Sequence, residues 1–421
     1  MEFKALNDEF AGMIGDTGTG VPGLGVIVFK DGREVFSTFL GRRIIGANSK
    51  PVTRHTRFRA ASVSKIFTIF SVMQLVERGK ISLDDDAGDL LGFELRNPNQ
   101  PQKKITVRML ASHTSSLRDG KIYSLPPEMS IRELFQPNGE FWEDGAHFAL
   151  RDEKIGEFFS YCNLNYGVLG TIVEAVTGKR FDIWQRENIL RQLDTKADYL
   201  PANLSATEFE QLGALYRKKN SSGVWDEFGD WHAQLDDFGG IQPAKDTVAL
   251  QNPYAENFCR VCSLKNYRVG TNATFFSPQG GLRISFDELA RALEMILNGG
   301  NFRGQKILSG ESLETIFKSH WTFNPQNPNG DTCGGTFPTY GLGTHSVACQ
   351  NFSRILLGHF GDAFGMLSGL FFVPKTKSGF VYMLNGQAIN PDEDPRSKGK
   401  FDGVYIWEEK ILNALYRKIF M

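Results

Sequence analysis

Phe58-Arg-Ala-Ala-Ser62-Val-Ser-Lys65-Ile-Phe-Thr-Ile-Phe70 is the stretch from which the rest of the chain can be read. Its centre is Ser62-x-x-Lys65. The apolar positions Ile66, Phe67, Phe70, Met73 and Val76 recur at intervals of three and four, which predicts one helix as far as Gly79 with one buried side. Residues three apart lie one turn apart on the same face. A hydroxyl at the helix start therefore sits beside an amine that an apolar helix keeps from full solvation. Desolvation lowers a lysine pKa, and a partly neutral amine can take a proton from a serine. The free backbone N–H groups of the helix start are available to an anion forming at Ser62. One turn thus holds a nucleophile, its base and part of an oxyanion site.

Ser-x-x-Lys alone is weak, because ordinary composition gives about one or two chance matches in a chain of this size. A second match, Ser397-x-x-Lys400, lies in Pro-Asp-Glu-Asp-Pro-Arg-Ser-Lys-Gly-Lys. That stretch reads as a solvated charge cluster with no helix to hold the pair. The match at Ser62 needs support from elsewhere.

The 421 residues are 41% hydrophobic and 23% charged, with a formal net charge of −1. This is an ordinary soluble composition, long enough for a large core or two lobes. The balanced charge argues against nucleic acid or an anionic membrane surface as the main partner. No apolar run approaches a membrane span. The polar, acidic start, Met-Glu-Phe-Lys-Ala-Leu-Asn-Asp-Glu-Phe, lacks the pattern of a secretory leader and fits a cytoplasmic chain. Removal of a leader would instead place the protein in the cell envelope or outside. Of five cysteines, Cys259-Arg-Val-Cys262 has the spacing of half a zinc site that Cys333 and Cys349 would have to complete. The second pair is widely spaced, so free thiols are the default, with disulfides among these four as the oxidised alternative.

Taken in order, the chain opens with a short amphipathic helix to about Ile14. Gly18-Thr-Gly20-Val-Pro-Gly23 has dinucleotide-loop spacing but precedes a strand, Leu24 to Lys30, so it reads as a turn. Asp31-Gly32 predicts a tight hairpin returning through Glu34 to Leu40. Ile81-Ser-Leu-Asp84-Asp85-Asp86 lacks calcium-loop spacing and reads as a turn and helix cap. Ile105 to Leu117 is a capped helix running into a loop, where His113 is either a base or a loop-holding side chain. Tyr161-Cys162-Asn163 precedes a helix from Tyr166 to Thr177 that Gly178 stops. Residues two apart in an extended segment face the same way, so a phenol and an amide can point into one cleft.

From Pro201 to Phe276 the pattern weakens to loops with short elements, read as an elaboration (205–272) over the cleft. Ser285-Phe-Asp-Glu288 is a capping box opening a helix to Leu297. Strands follow at Tyr340 to Val347, Ser353 to Leu357 leading into His359-Phe360-Gly361-Asp362, Met366 to Val373, and Phe380 to Leu384, before a closing helix from Gly403 to Phe420. The fold expected is α/β (α+β): one antiparallel sheet from both termini, flanked by helices, with a mainly helical insertion. A single catalytic domain, 1–421, would have an α/β lobe (1–80 and 277–421) and a helical lobe (81–276), the site lying at their seam.

Three pieces occur in order: Ser62-x-x-Lys65, Tyr161-x-Asn163 and His359-x-Gly361. With them the chain resembles the serine β-lactamase and penicillin-binding-protein superfamily. It is most similar to the branch of class C β-lactamases, D-alanyl-D-alanine carboxypeptidases, D-aminopeptidases and related esterases. Ile105–Leu117, the Pro278–Leu282 Gly-Gly-Leu turn and Tyr340-Gly-Leu-Gly343 are also family-like, and the resemblance covers most of the chain outside about 205–272. It implies that Ser62 forms an acyl-enzyme, and that Lys65 and Tyr161 share proton transfer. Asn163 would bond the substrate's side-chain amide, and His359 would orient Tyr161 or the substrate. The N–H groups of Ser62 and Asp362, the residue after Gly361, would form the oxyanion hole. Ser64 would support rather than attack.

Class C β-lactamases usually carry Lys-Thr-Gly as the third motif, whereas this chain has His359-Phe360-Gly361. The phenylalanine removes a hydroxyl that helps bind a substrate carboxylate, which points away from efficient β-lactam hydrolysis and terminal D-alanine recognition. A carboxylate at Asp362 favours a substrate with a free amine. The expectation is a serine hydrolase of small amides, esters or short peptides, requiring no metal or organic cofactor, with hydrolysis and acyl transfer both open. The alternatives are a β-lactamase or D-alanyl-D-alanine carboxypeptidase, and a non-catalytic acylatable sensor or binding protein. The sequence defines no oligomeric state.

Overall fold

The computed structural model describes residues 2–15, 18–250, 260–348, 355–374, 376–400 and 403–417. Helix α1 (Glu2–Ala11) is followed by β1 (Gly23–Lys30) and β2 (Arg33–Ile44). Asp31 and Gly32 join these strands with φ of 51° and 77°, the left-handed pair that a two-residue hairpin of this twist requires. Short strands β3 (Lys50–Pro51) and β4 (Arg57–Arg59) lead to a 3₁₀ turn, Ala61–Val63, and then helix α2 (Ser64–Glu77). The serine thus sits in a tighter turn just ahead of the α-helix. Nor does α2 have one buried side: every residue from Ser64 to Leu75 is buried. The three-and-four spacing marks only its most apolar stripe, because protein surrounds the helix.

Asp86 caps α3 (Ala87–Leu91) and Thr106 caps α4 (Val107–Ala111). Helix α5 (Leu164–Thr177) ends at Gly178 in the left-handed conformation, and α6 (Phe181–Gln185) and α7 (Ala206–Glu210) follow. The weakly patterned region holds strands β5 (Leu215–Lys219), β6 (Asp230–Leu235), β7 (Thr247–Leu250) and β8 (Arg260–Ser263). Strand β9 (Arg283–Ser285) pairs with β4, and Ser285 opens α8 (Phe286–Leu297) through a capping box with Glu288.

A hairpin of β10 (Asn301–Phe302) and β11 (Gln305–Lys306) precedes α9 (Gly310–Phe317). Then come β12 (Trp321–Thr322), β13 (Thr339–Tyr340), β14 (His345–Ala348), β15 (Ile355–Ala363), β16 (Met366–Val373), β17 (Ser378–Leu384), β18 (Gly386–Gln387) and α10 (Ile406–Leu415). Tyr340 to Val347 is therefore two strands. Gly341 and Gly343, the latter at φ 64°, turn the chain between them.

The main sheet has nine strands in the order β12-β13-β14-β15-β16-β17-β1-β2-β3, antiparallel throughout. The first strands of the chain thus pair with the last, as expected. Alternation sorts its side chains onto two faces. Val26, Val28, Phe380 and Tyr382 meet Leu6 and Phe10 of α1 and Ile411 and Leu415 of α10. Ile27, Val381 and Met383 instead join the core that contains α8, α2 and α5. Gly25 makes the α8 face possible: a Cβ there would lie 2.5 Å from the Phe286 ring. Among the described residues no helix is long and apolar enough to cross a membrane.

Candidate active site

The turn carrying Ser62 is held from several directions. Ala61 adopts φ 47°, a left-handed conformation that costs a non-glycine residue about 1 kcal/mol and recurs where function demands it. The Ala60 N–H donates to Leu282 O (2.9 Å), and the Ala60 carbonyl accepts from Ser368 Oγ on β16 (2.7 Å). Ser64 Oγ accepts from the Leu282 N–H (3.1 Å), a supporting bond rather than an attacking position. Strand β15 presses so close that a Cβ on Gly361 would lie 3.1 Å from Ser62 N and 2.3 Å from Ser368 Oγ. Asp362, the expected second oxyanion donor, is the next residue of that strand.

Lys65 is fully buried, and its Nζ donates to Ser62 Oγ (3.0 Å), Asn163 Oδ1 (2.9 Å) and Gln279 O (3.2 Å). Burial lowers its pKa to about 7, with Asp119 pulling the other way. Tyr161 belongs to the same group: Lys65 Nζ lies 4.7 Å from its ring centroid, and Ser62 is near enough to its hydroxyl to oppose the effect of burial on the phenol. Burial pushes that phenol up and Ser62 draws it partly back. The Tyr161 ring stacks on Phe337 at 4.9 Å, over an aromatic cluster of Phe159, Trp321 and Tyr340. Ser62, Tyr161, His359, Phe360 and Asp362 line one cleft of about 300 Å³. The residues quoted from three distant parts of the sequence are thereby brought together.

Two of the expected site residues already have partners within the protein. The Asn163 amide is engaged at both ends within the protein, Oδ1 by Lys65 and Nδ2 by Asp119 Oδ2 (3.0 Å). It holds the lysine and Asp119, and one Nδ2 hydrogen and one Oδ1 lone pair remain beyond these two bonds. His359 is buried, and both of its ring nitrogens are taken. The Cys162 N–H donates to His113 Nδ1 (3.1 Å), so His113 Nε2 carries the proton and faces the Tyr340 hydroxyl at 3.2 Å. That hydroxyl donates to His359 Nε2 (2.9 Å), and His359 Nδ1 donates to the Phe360 carbonyl. His359 shows Tyr161 only its ring, 6.0 Å away between centroids. Burial holds both imidazoles well below the usual histidine range, hence neutral. His113 therefore ties loops together instead of acting as a base.

Asp119 escaped the sequence reading. Its carboxylate accepts from Asn163 Nδ2, the Leu164 N–H (2.8 Å) and Cys162 Sγ (3.3 Å), fixing Asn163 and the start of α5. A lone aspartate in a loop offers no pattern to find it by. Asp362 accepts from Tyr405 (2.7 Å) and Gln387 (3.3 Å) at the cleft wall. Ser397 bonds back to the Asp394 carbonyl in a 3₁₀ turn, away from any helix start. Cys162 and Cys333 are free thiols, Cys262 is buried, and Cys259 and Cys349 lie outside the described residues. Among the described residues no group of three or more His, Cys, Asp or Glu side chains is placed to hold a metal ion.

Comparison with known proteins supplies the family. The family model described as Beta-lactamase matches residues 8–404. Among curated proteins, Penicillin-binding protein 4 of Amycolatopsis lactamdurans is 29% identical over 218 residues, 49% of this chain and 52% of that protein. Protein flp of Staphylococcus aureus (strain NCTC 8325 / PS 47) is 23% identical over 205 residues, 48% of this chain and 37% of that protein. The matched segments thus span about half or less of these relatives. Among solved structures, the D-amino acid amidase from Ochrobactrum anthropi SV3, complexed with L-phenylalanine amide, superposes with a TM-score of 0.64 at 18% identity. That superposition covers 99% of this chain and 98% of the amidase. The octameric penicillin-binding protein homologue from Pyrococcus abyssi gives 0.61 at 24% identity, over 88% of this chain and 71% of the other. At these identities the structural likeness establishes the fold.

Proposed function

The chain belongs to the beta-lactamase family, and from that premise we propose that it is a serine hydrolase forming an acyl-enzyme on small amides or esters. The observation that carries this reading is the 3.0 Å contact between Lys65 Nζ and Ser62 Oγ in a cleft shared with Tyr161. In acylation the Ser62 oxygen attacks the substrate carbonyl as its proton passes to Lys65 Nζ. The oxyanion is met by the Ser62 N–H and the N–H of Asp362. Collapse expels the amine or alcohol, which takes its proton from the Tyr161 hydroxyl, and Tyr161 recovers one from Lys65. Water, or another acceptor, then repeats these steps in reverse on the acyl-enzyme.

A substrate with a free amine, as in a D-amino-acid amide or short peptide, is favoured by Asp362. Its carboxylate lines the cleft and has acceptor sites beyond those taken by Tyr405 and Gln387. The solved D-amino acid amidase of the same fold is consistent with that substrate class. Phe360 on the cleft wall weighs against β-lactams and carboxy-terminal D-alanine.

The test is one preparation assayed with p-nitrophenyl acetate, D-alanyl amide and nitrocefin, following burst and steady state, with intact mass for the acyl adduct. Continuing turnover of ester and amide, lost in Ser62→Ala, is the expected result. A single burst without turnover would make the protein a sensor, and no adduct at all would remove the acyl-enzyme. Asp362→Asn should raise KM for D-alanyl amide and leave p-nitrophenyl acetate unaffected.

A further inference from the structure

A second cavity, of about 80 Å³, adjoins Arg59, three residues before the nucleophile. It shares no lining residue with the Ser62 cleft. Arg59 stands directly opposite Arg283 in the β4–β9 pair. Like charges facing each other across strands are destabilising. One carboxylate lies near the two but pairs with Arg283 alone: Asp236, fully buried, takes Arg283 bidentately, with Nε–Oδ2 3.0 Å and Nη2–Oδ1 2.8 Å. Arg283 Nη1 donates to the Tyr199 and Gly281 carbonyls, both at 2.9 Å, so this arginine is fully engaged.

Arg59 is not. Its Nη2 donates to Ser277 Oγ (2.9 Å), its guanidinium lies 5.0 Å from the Phe364 ring centroid, and its buried Nε has no hydrogen-bond partner. Among the described residues no acid lies within ion-pair distance of it. Two guanidinium ions against one carboxylate leave a net positive charge at a cavity whose lining includes Tyr123, Phe275, Phe276 and Phe364. An unneutralised cation in such surroundings is costly to hold. Burial, and Arg283 beside it, lower the Arg59 pKa to about 10.

Two hydrogen bonds through one loop link the cavity wall to Lys65. Ser277 Oγ accepts from Gln279 Nε2 (3.0 Å), and the Gln279 carbonyl accepts from Lys65 Nζ (3.2 Å). One short loop thus forms part of both places.

We propose that this cavity is a carboxylate-binding subsite, in which the open side of the Arg59 guanidinium receives an anionic group carried on an apolar stem that packs against the aromatic wall. That the stem belongs to the substrate rests on the acyl-enzyme reading above, whereas the anion site does not.

Calorimetry with 3-phenylpropionate and its neutral counterpart 3-phenylpropanamide, on wild-type protein and on Ser62→Ala, tests the site without turnover. The acid should bind both proteins at least about tenfold more tightly than the amide. Arg59→Met should erase that preference and Arg59→Lys should keep part of it. Equal binding of acid and amide, or no binding of the acid at about 10 mM, overturns the subsite, and this comparison stands even if Arg59→Met fails to fold. Esterase kinetics then separate the two readings. A lower KM for p-nitrophenyl hydrogen glutarate than for p-nitrophenyl butyrate places the carboxylate on the substrate. Binding of the acid with no turnover of either ester keeps the subsite and removes the acyl-enzyme reading.

Discussion

The same burial drives two neighbouring side chains toward opposite uses. A low-dielectric site disfavours charge, so it strips Lys65 of its proton more easily and makes Tyr161 keep its own. Near neutral pH the amine is then available to accept from Ser62, and the phenol is available to donate. If, as proposed, the neutral amine is the active form, kcat/KM should rise with pH through about 7 and level off above it. Asp119 opposes the lowering, so Asp119→Asn should move the midpoint further down. Rates from pH 5.5 to 9 with p-nitrophenyl acetate, corrected for its spontaneous hydrolysis, check both points. A flat wild-type profile would remove Lys65 as the base. The Ser62–Lys65 pair was legible in the sequence because one helical turn fixes its geometry. Asp119 and the Gln279 carbonyl were not, because loops without periodicity deliver them.

At the scale of elements, the decisive approach is that of β15 to the turn bearing Ser62. The strand can pass there only because residue 361 lacks a side chain. An alanine Cβ would meet Ser368 Oγ at 2.3 Å and Ala60 O at 2.8 Å, and Ser368 is the group that holds Ala60. Gly361→Ala should therefore push β15 off the turn and displace the N–H of Asp362. A loss in kcat/KM on the order of a hundredfold, the usual effect of one missing oxyanion donor, is expected with far-UV dichroism unchanged. Activity within threefold of wild type would show that β15 has slack. The near-continuous apolar runs of β1, β16 and β17 made these strands readable, since both sheet faces are covered. The turn at Gly341–Gly343 was missed because its flanks look equally strand-like. The strands between 215 and 263 are short and paired outside the main sheet, so little alternation betrays them.

For the molecule as a whole, one buried ion pair joins the strand leading into the Ser62 turn to the helix covering the sheet. Glu288, in the first turn of α8, accepts from both terminal nitrogens of Arg57 on β4, with Nη2–Oε1 2.9 Å. It also accepts the N–H groups of Lys196 (2.8 Å) and Ser285 (3.0 Å). Both side chains are over nine-tenths buried. Burial alone would raise the Glu288 pKa, but Arg57 and the hydrogen bonds outweigh it and hold the carboxyl below its ordinary value. With the folded pKa below an unfolded value near 4.3, the stabilisation is complete above about pH 4.3 and disappears as pH falls through the folded value. Glu288→Gln keeps the shape but leaves the Arg57 cation buried without its counter-charge. The cost expected at pH 7 is about 3–5 kcal/mol by urea unfolding. The exposed Arg108–Asp84 pair is the control, since Asp84→Asn should cost less than about 1 kcal/mol. The gap between Glu288→Gln and wild type should narrow steadily below pH 4, as protonation makes the native carboxyl resemble the amide. A gap that stays constant into acid would mean that packing, not charge, joins these elements.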